Sequence, residues 1–226
     1  MAGEMVQFPS NGNEAEGYLA MPASGSGPGV IVIQEWWGLV PHIKDICDRL
    51  AGEGFVALAP DLYHGETTAE PDEAGKLMMA MKIDEAAKDM SGAVDYLAGH
   101  DASTGGQVGC VGFCMGGGLS LYLASLKPEI GACVVYYGVL PGTQPDFAAI
   151  QAPVLGHYAE NDDFASPAAA RELEGNLKSL GKEVEFHIYP GTDHAFFNDT
   201  RADVHNADAA KLSWERTLPF FREHLG

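Results

Sequence analysis

Short, continuously apolar runs alternate along most of the chain with stretches where apolar residues recur every three or four positions. The run Val30-Ile31-Val32-Ile33 has no polar position, the pattern of a strand covered on both faces. A helical pattern follows over residues 40–52, with Ile43, Ile46, Cys47 and Leu50 on one face. A strand is expected over 55–59, stopped by Pro60-Asp61. Residues 70–99 read as helical, although Gly75 and Gly92 weaken the case for one unbroken helix. Further strands are predicted over 108–111, 133–137, 154–158 and 184–189, and helices over 115–125, 167–180 and 207–224. Pro219 marks a point of bending in the last helix. Gly, Ser and Pro cluster over 22–29, which reads as an exposed turn between two strands.

This alternation predicts an α/β protein with a mostly parallel central sheet and helices on both faces. No internal repeat or long linker divides the 226 residues, so one domain over 1–226 is expected. In sheets of this kind, reactive groups gather at the carboxyl ends of the strands.

Composition narrows the function. Hydrophobic residues make up 46% and charged residues 20%, ample for a core. No apolar run reaches the length of a membrane span, and Met1-Ala2-Gly3-Glu4-Met5 lacks the basic start and apolar segment of a secretory signal. A cytoplasmic protein with no membrane partner is therefore expected, as a monomer or small homo-oligomer. The formal net charge of -19 comes without any basic stripe, which argues against nucleic acid as a partner. Cys47, Cys110, Cys114 and Cys133 have neither metal-ligand spacing nor the density of a disulfide scaffold. Neither a metal nor an organic cofactor is expected.

Only Cys114 has a chemically loaded neighbourhood. In Gly112-Phe113-Cys114-Met115-Gly116 the pattern G-x-C-x-G follows a predicted strand and opens a predicted helix, the context of a nucleophile elbow. Gly112 and Gly116 leave room for strand and helix to approach. Cys114 then sits at a helix N-terminus, where the dipole and free N–H groups favour thiolate. The N–H of Met115 is placed to meet the oxygen of an attacked carbonyl.

A thiol nucleophile needs an imidazole, and the imidazole needs an orienting carboxylate. Of eight histidines, His194 alone lies in a turn directly after the last predicted strand. His157 and His187 fall inside strands and read as packed or pocket-lining side chains. The turn Glu160-Asn161-Asp162-Asp163 follows the strand over 154–158, and on pattern alone either aspartate could serve.

With these pieces in order, the chain resembles the dienelactone hydrolase family of α/β-hydrolases. The residues that carry the resemblance are Gln34-Glu35-Trp36-Trp37-Gly38, Pro60-Asp61-Leu62-Tyr63, Gly112-Phe113-Cys114-Met115-Gly116-Gly117 and Asp193-His194-Ala195-Phe196. The resemblance implies an α/β-hydrolase fold without a large cap domain, and cleavage of a small ester or lactone through an acyl-enzyme. It implies Asp162 as the triad acid beside Cys114 and His194, and the Trp36 N–H as partner of Met115 in an oxyanion hole. It also implies that Glu35 holds the resting cysteine as a thiol, consistent with a carboxylate disfavouring thiolate. An apolar pocket is expected from Trp36, Trp37, Tyr63, Phe164, Phe196 and Phe197, with Met78, Met79 and Met81 as further candidates.

One departure concerns substrate. The family's namesake activity uses two arginines to hold a carboxylate, one shortly after the catalytic histidine. Here Phe197 and Asn198 occupy that stretch, Arg201 is the nearest arginine, and none lies between Arg49 and Arg171. Lys76 or Lys82 would replace an arginine only as a point charge. A thioesterase or broad esterase remains the alternative reading, and a silent ligand-binding scaffold a more distant one.

Overall fold

A computed structural model describes residues 3–10, 12–138 and 144–226; Met1 and Ala2 of the N-terminal reading lie outside these. Eight strands form one sheet in the order β1-β2-β4-β3-β5-β6-β7-β8. Strands β1 (Glu4–Ser10) and β2 (Asn13–Ala20) form an antiparallel hairpin, and β2 runs antiparallel to β4 (Val56–Pro60). The remaining pairs, through β3 (Gly27–Ile33), β5 (Ser103–Phe113), β6 (Ile130–Tyr136), β7 (Val154–Asn161) and β8 (Val184–Asp193), are parallel. Every residue of β4 and β6 is buried, which accounts for their unbroken apolar sequence.

Helices cover both faces. Along β5, Gly109 faces Phe221 and Leu225 of α6 (Ala207–Leu225), whereas the thiol of Cys110 reaches the Ser120 carbonyl of α4 (Met115–Leu126). Successive strand residues point to opposite faces, so α4 and α6 lie on opposite sides of the sheet. Helix α3 (Ile83–Ala98) packs beside α4. Helix α1 (Pro41–Gly52) meets α6, where Arg222 pairs with Glu53 at 2.8 Å. Helix α5 (Pro167–Ser179) packs against β7 and β8 at the far edge. This is the α/β-hydrolase architecture, and no large cap lies over the sheet among the described residues.

Three expectations need correction. The helical reading of 70–99 resolves into α2 (Pro71–Ala80) and α3, separated by Met81 and Lys82 in extended conformation. The break falls at neither suspected glycine. Helix α2 buries only Ala74, whereas α3 buries a full face from Ala86 to Leu97, so the two segments pack in different environments. The N-terminal hairpin is an addition, and the turn after β2 is shorter than 22–29 because Gly27 already belongs to β3.

Candidate active site

Strand β5 ends at Phe113, and α4 begins at Met115. Between them Cys114 adopts φ 54° and ψ -119°, a conformation that costs a side-chain-bearing residue on the order of 1–3 kcal/mol. The surroundings hold it there. The Cys114 N–H donates to the Tyr136 carbonyl at 3.1 Å, and its own carbonyl accepts from the Gly117 N–H at 2.9 Å. A Cβ on Gly112 would run into the backbone of Gly116 and Gly117, so the turn needs glycine there. Cys114 is half-buried, whereas Cys47, Cys110 and Cys133 are fully buried.

Sheet register assembles the rest. Asn161 of β7 is paired with Asp193 of β8, so Asp162 and His194 leave adjacent strands side by side. The Nδ1 of His194 lies 2.7 Å from Oδ2 of Asp162. The other oxygen of Asp162 accepts the N–H groups of Phe164 at 2.8 Å and Ala165 at 2.9 Å. Burial raises the carboxyl pKa of Asp162, but the bond to His194 and these two amides outweigh it and hold the group below the usual carboxylate range. For His194, burial opposes the charge, yet the bond to Asp162 and the influence of the nearby Cys114 sulfur push the imidazole up to about 10. The second aspartate, Asp163, is exposed and faces the cavity.

Ile33 of β3 pairs with Gly112 of β5, which puts Trp36 and Met115, each three residues further on, at neighbouring strand ends. Neither N–H has a backbone acceptor among the described residues.

Glu35 sits at the same end of β3 and is 1% exposed. Its Oε2 accepts from Nδ2 of Asn198 at 2.8 Å, while Oε1 has no partner among the described residues. Burial drives its pKa up to about 7, against the opposing effects of the Asn198 hydrogen bond and the charges of His194 and Arg201.

A cavity of about 300 Å³ opens over Cys114 and His194, walled by Glu35, Trp36, Trp37 and Phe164. Met78 of α2 and Arg201 complete the wall. Phe164 is 75% exposed and meets the His194 ring edge-on at 5.5 Å. Three expected aromatic pocket residues are elsewhere, and one of them, Phe197, is buried against Phe113, Tyr136 and Trp214. Phe196 is fully buried among Tyr137, Tyr189 and Tyr136, because it follows the turn at Ala195 (φ 68°) that sends it into the core. Tyr63 is buried beneath the elbow, its hydroxyl donating to the sulfur of Met115 at 3.5 Å, and does not line this cavity. Met79 is 85% exposed, and Lys76 and Lys82 pair with Glu73 and Glu85 on the surface. His157 is a core residue bonded to Tyr189 and Thr217.

Sequence reasoning missed Tyr137, which follows β6 at φ 38° with its ring 5.0 Å from that of His194. It also missed the bond between Asn198 and Glu35 and the place of Arg201 on the cavity wall. Among the described residues no three His, Cys, Asp or Glu side chains gather as a metal site, and no helix is long and apolar enough to cross a membrane.

Known proteins share this arrangement of elements. The protein Usf of Aquifex pyrophilus is 41% identical over 230 residues, covering 99% of each chain. A protein of Aquifex aeolicus assigned as a carboxymethylenebutenolidase is 37% identical, again over 99% of both. A solved structure from Klebsiella pneumoniae, assigned as a dienelactone hydrolase, has a TM-score of 0.87 at 31% identity and covers 99% of this chain and 100% of its own. A dienelactone hydrolase-like promiscuous phosphotriesterase from metagenomic libraries has a TM-score of 0.88 at 24% identity, covering 99% of this chain and 98% of its own, and so shares the fold. The dienelactone hydrolase family matches residues 15–225, from within β2 to the last residue of α6. On that match and these identities, the chain belongs to the dienelactone hydrolase family.

Proposed function

We propose that the protein hydrolyses small carboxylic esters or lactones through Cys114, in the cytoplasm. The single observation that carries this reading is the contact of Asp162 Oδ2 with His194 Nδ1 at 2.7 Å, in a ring that borders the same cavity as Cys114. Nδ1 is committed to Asp162, so Nε2 is the nitrogen that takes the thiol proton. The sulfur then attacks the substrate carbonyl, and the N–H groups of Trp36 and Met115 receive the developing negative charge. Collapse of the tetrahedral intermediate breaks the ester C–O bond. His194 returns its proton to the departing alkoxide, leaving a thioester on Cys114. Water, deprotonated by His194, attacks that thioester and releases the acid and the cysteine. In the resting enzyme the carboxylate form of Glu35 disfavours thiolate and limits idle alkylation or oxidation of Cys114.

Hydrolysis of dienelactone and of short-chain p-nitrophenyl esters by the wild type and by Cys114→Ala tests the reading. Turnover of either substrate, lost in the variant, is the expected result. Equal turnover by Cys114→Ala would overturn it. A silent scaffold would also show no selectively fast alkylation of Cys114 over the three buried thiols.

A further inference from the structure

Asn198 is bonded on both sides of its amide. Its Oδ1 accepts the backbone N–H of Thr200 at 3.1 Å and the Thr200 hydroxyl at 2.6 Å. Its Nδ2 donates to Oε2 of Glu35 at 2.8 Å, across 163 residues of sequence. A backbone N–H can only donate, so the Thr200 amide fixes Oδ1 as the oxygen. Flipping the amide would set a donor against the Thr200 N–H and an oxygen against the carboxyl. Asn198 is 2% exposed and Glu35 1% exposed, so water does not relax this arrangement.

We propose that Asn198 is a positioning residue for Glu35, whose amide commits Oε2 to accepting and assigns any proton on the carboxyl to Oε1. A protonated Oε2 would press its hydrogen against the Asn198 NH2, two donors in contact. Oε1 is the oxygen that no other described residue engages. Glu35 borders the cavity with Cys114 and His194, so its proton is carried, beside that site, by the buried oxygen that has no other partner among the described residues. The inference rests on the proposed thiol chemistry only for its catalytic consequence; the geometry stands without it.

Asn198 is neutral, which sets how strongly the carboxyl holds its proton. The charged groups acting on Glu35 are His194 and Arg201, both favouring carboxylate; Tyr137, in turn, feels the charges of Glu35 and Cys114. The amide also stabilises the carboxylate, because it is a hydrogen-bond donor to it. These effects do not overcome burial. Glu35 is consequently held near neutrality, where both protonation states are accessible, instead of being locked as an anion.

The test is a titration of Glu35 by carbon NMR in full-length protein labelled at the glutamate carboxyl, with Glu35→Gln identifying the signal. In the wild type the carboxyl is expected to titrate near 7. Asn198→Asp keeps the shape and the bonds to Thr200 but replaces the donor with an acceptor, and should move the titration up by about one pH unit or more. Asn198→Ala, a second variant should the first fail to fold, should move it in the same direction. An unmoved titration in a folded variant would overturn the proposal. The neutral-pH limb of ester hydrolysis should shift in parallel with the NMR titration. If no ester is turned over, the proposed function falls, and the NMR titration still decides the role of Asn198.

Discussion

The ring of Tyr137 lies 5.0 Å from that of His194, tilted by 58°, although the two residues leave different strands. Tyr137 is fully buried, and its hydroxyl has no partner among the described residues. Burial, then the charges of Glu35 and Cys114, drive its phenol well above the ordinary range, so it remains neutral. A buried, unpartnered hydroxyl costs about 1–3 kcal/mol. Tyr137→Phe should therefore unfold in urea with stability equal to the wild type or about 1 kcal/mol higher. Tyr137→Ala, which strips the ring from His194 and Phe196, should lose about 3–5 kcal/mol. A loss on removing the hydroxyl alone would mean that it has a partner in solution.

The Cys114 sulfur contributes to the raised pKa of His194. Replacing Cys114 by alanine removes that contribution. The His194 ring proton, followed by NMR, should titrate at lower pH in Cys114→Ala than in the wild type. An unchanged titration would separate the two side chains and remove the basis for an ion pair.

Glu35 gives a pH-dependent stability of definite sign. Its folded pKa of about 7 exceeds the reference value of 4.5, so folding favours the protonated form. That contribution is complete below 4.5 and is lost as pH rises through 7. Relative to the wild type, Glu35→Gln should gain stability on going from acid to alkaline pH. The limit is roughly 3 kcal/mol, since each tenfold change in proton affinity is worth about 1.4 kcal/mol. Urea midpoints on either side of neutrality measure it; a difference independent of pH would mean that the carboxyl does not titrate in this range.

Arg201 lies 6.0 Å from the centre of the Trp37 ring, with Nη2 bonded to Asp203 at 2.6 Å. It brings a cation to the cavity wall from a position other than the one expected for a carboxylate-binding arginine. Arg201→Gln should lower the preference for a p-nitrophenyl ester carrying a second carboxylate over a neutral one by about tenfold, or roughly 1.4 kcal/mol. Steady-state rates on the two esters give that ratio directly, and an unaltered ratio would assign Arg201 to the surface pair with Asp203.

The elbow at Cys114 is legible in the sequence because its requirements are local: a buried strand, small residues on either side, and a helix start within one turn. His194 is legible for a similar reason, as the histidine directly after the last strand. The helix break at Met81–Lys82 is not, because the periodic pattern continues across it while the packing partner changes. Phe196 and Phe197 carry the same kind of signal, and both are buried; only the turn at Ala195 shows that Phe196 joins the tyrosine cluster and not the cavity wall.

By itself, the order of apolar runs and amphipathic stretches determined an α/β sheet with reactive groups at its carboxyl edge, because strand and helix periodicities are properties of neighbouring residues. The tertiary structure put Asp162, and not Asp163, against His194, through the register of β7 on β8. It brought Asn198 onto Glu35 and Arg201 onto the cavity. Those contacts join residues far apart in the chain, and their energies depend on burial and hydrogen-bond direction, which exist only once the sheet has closed around them.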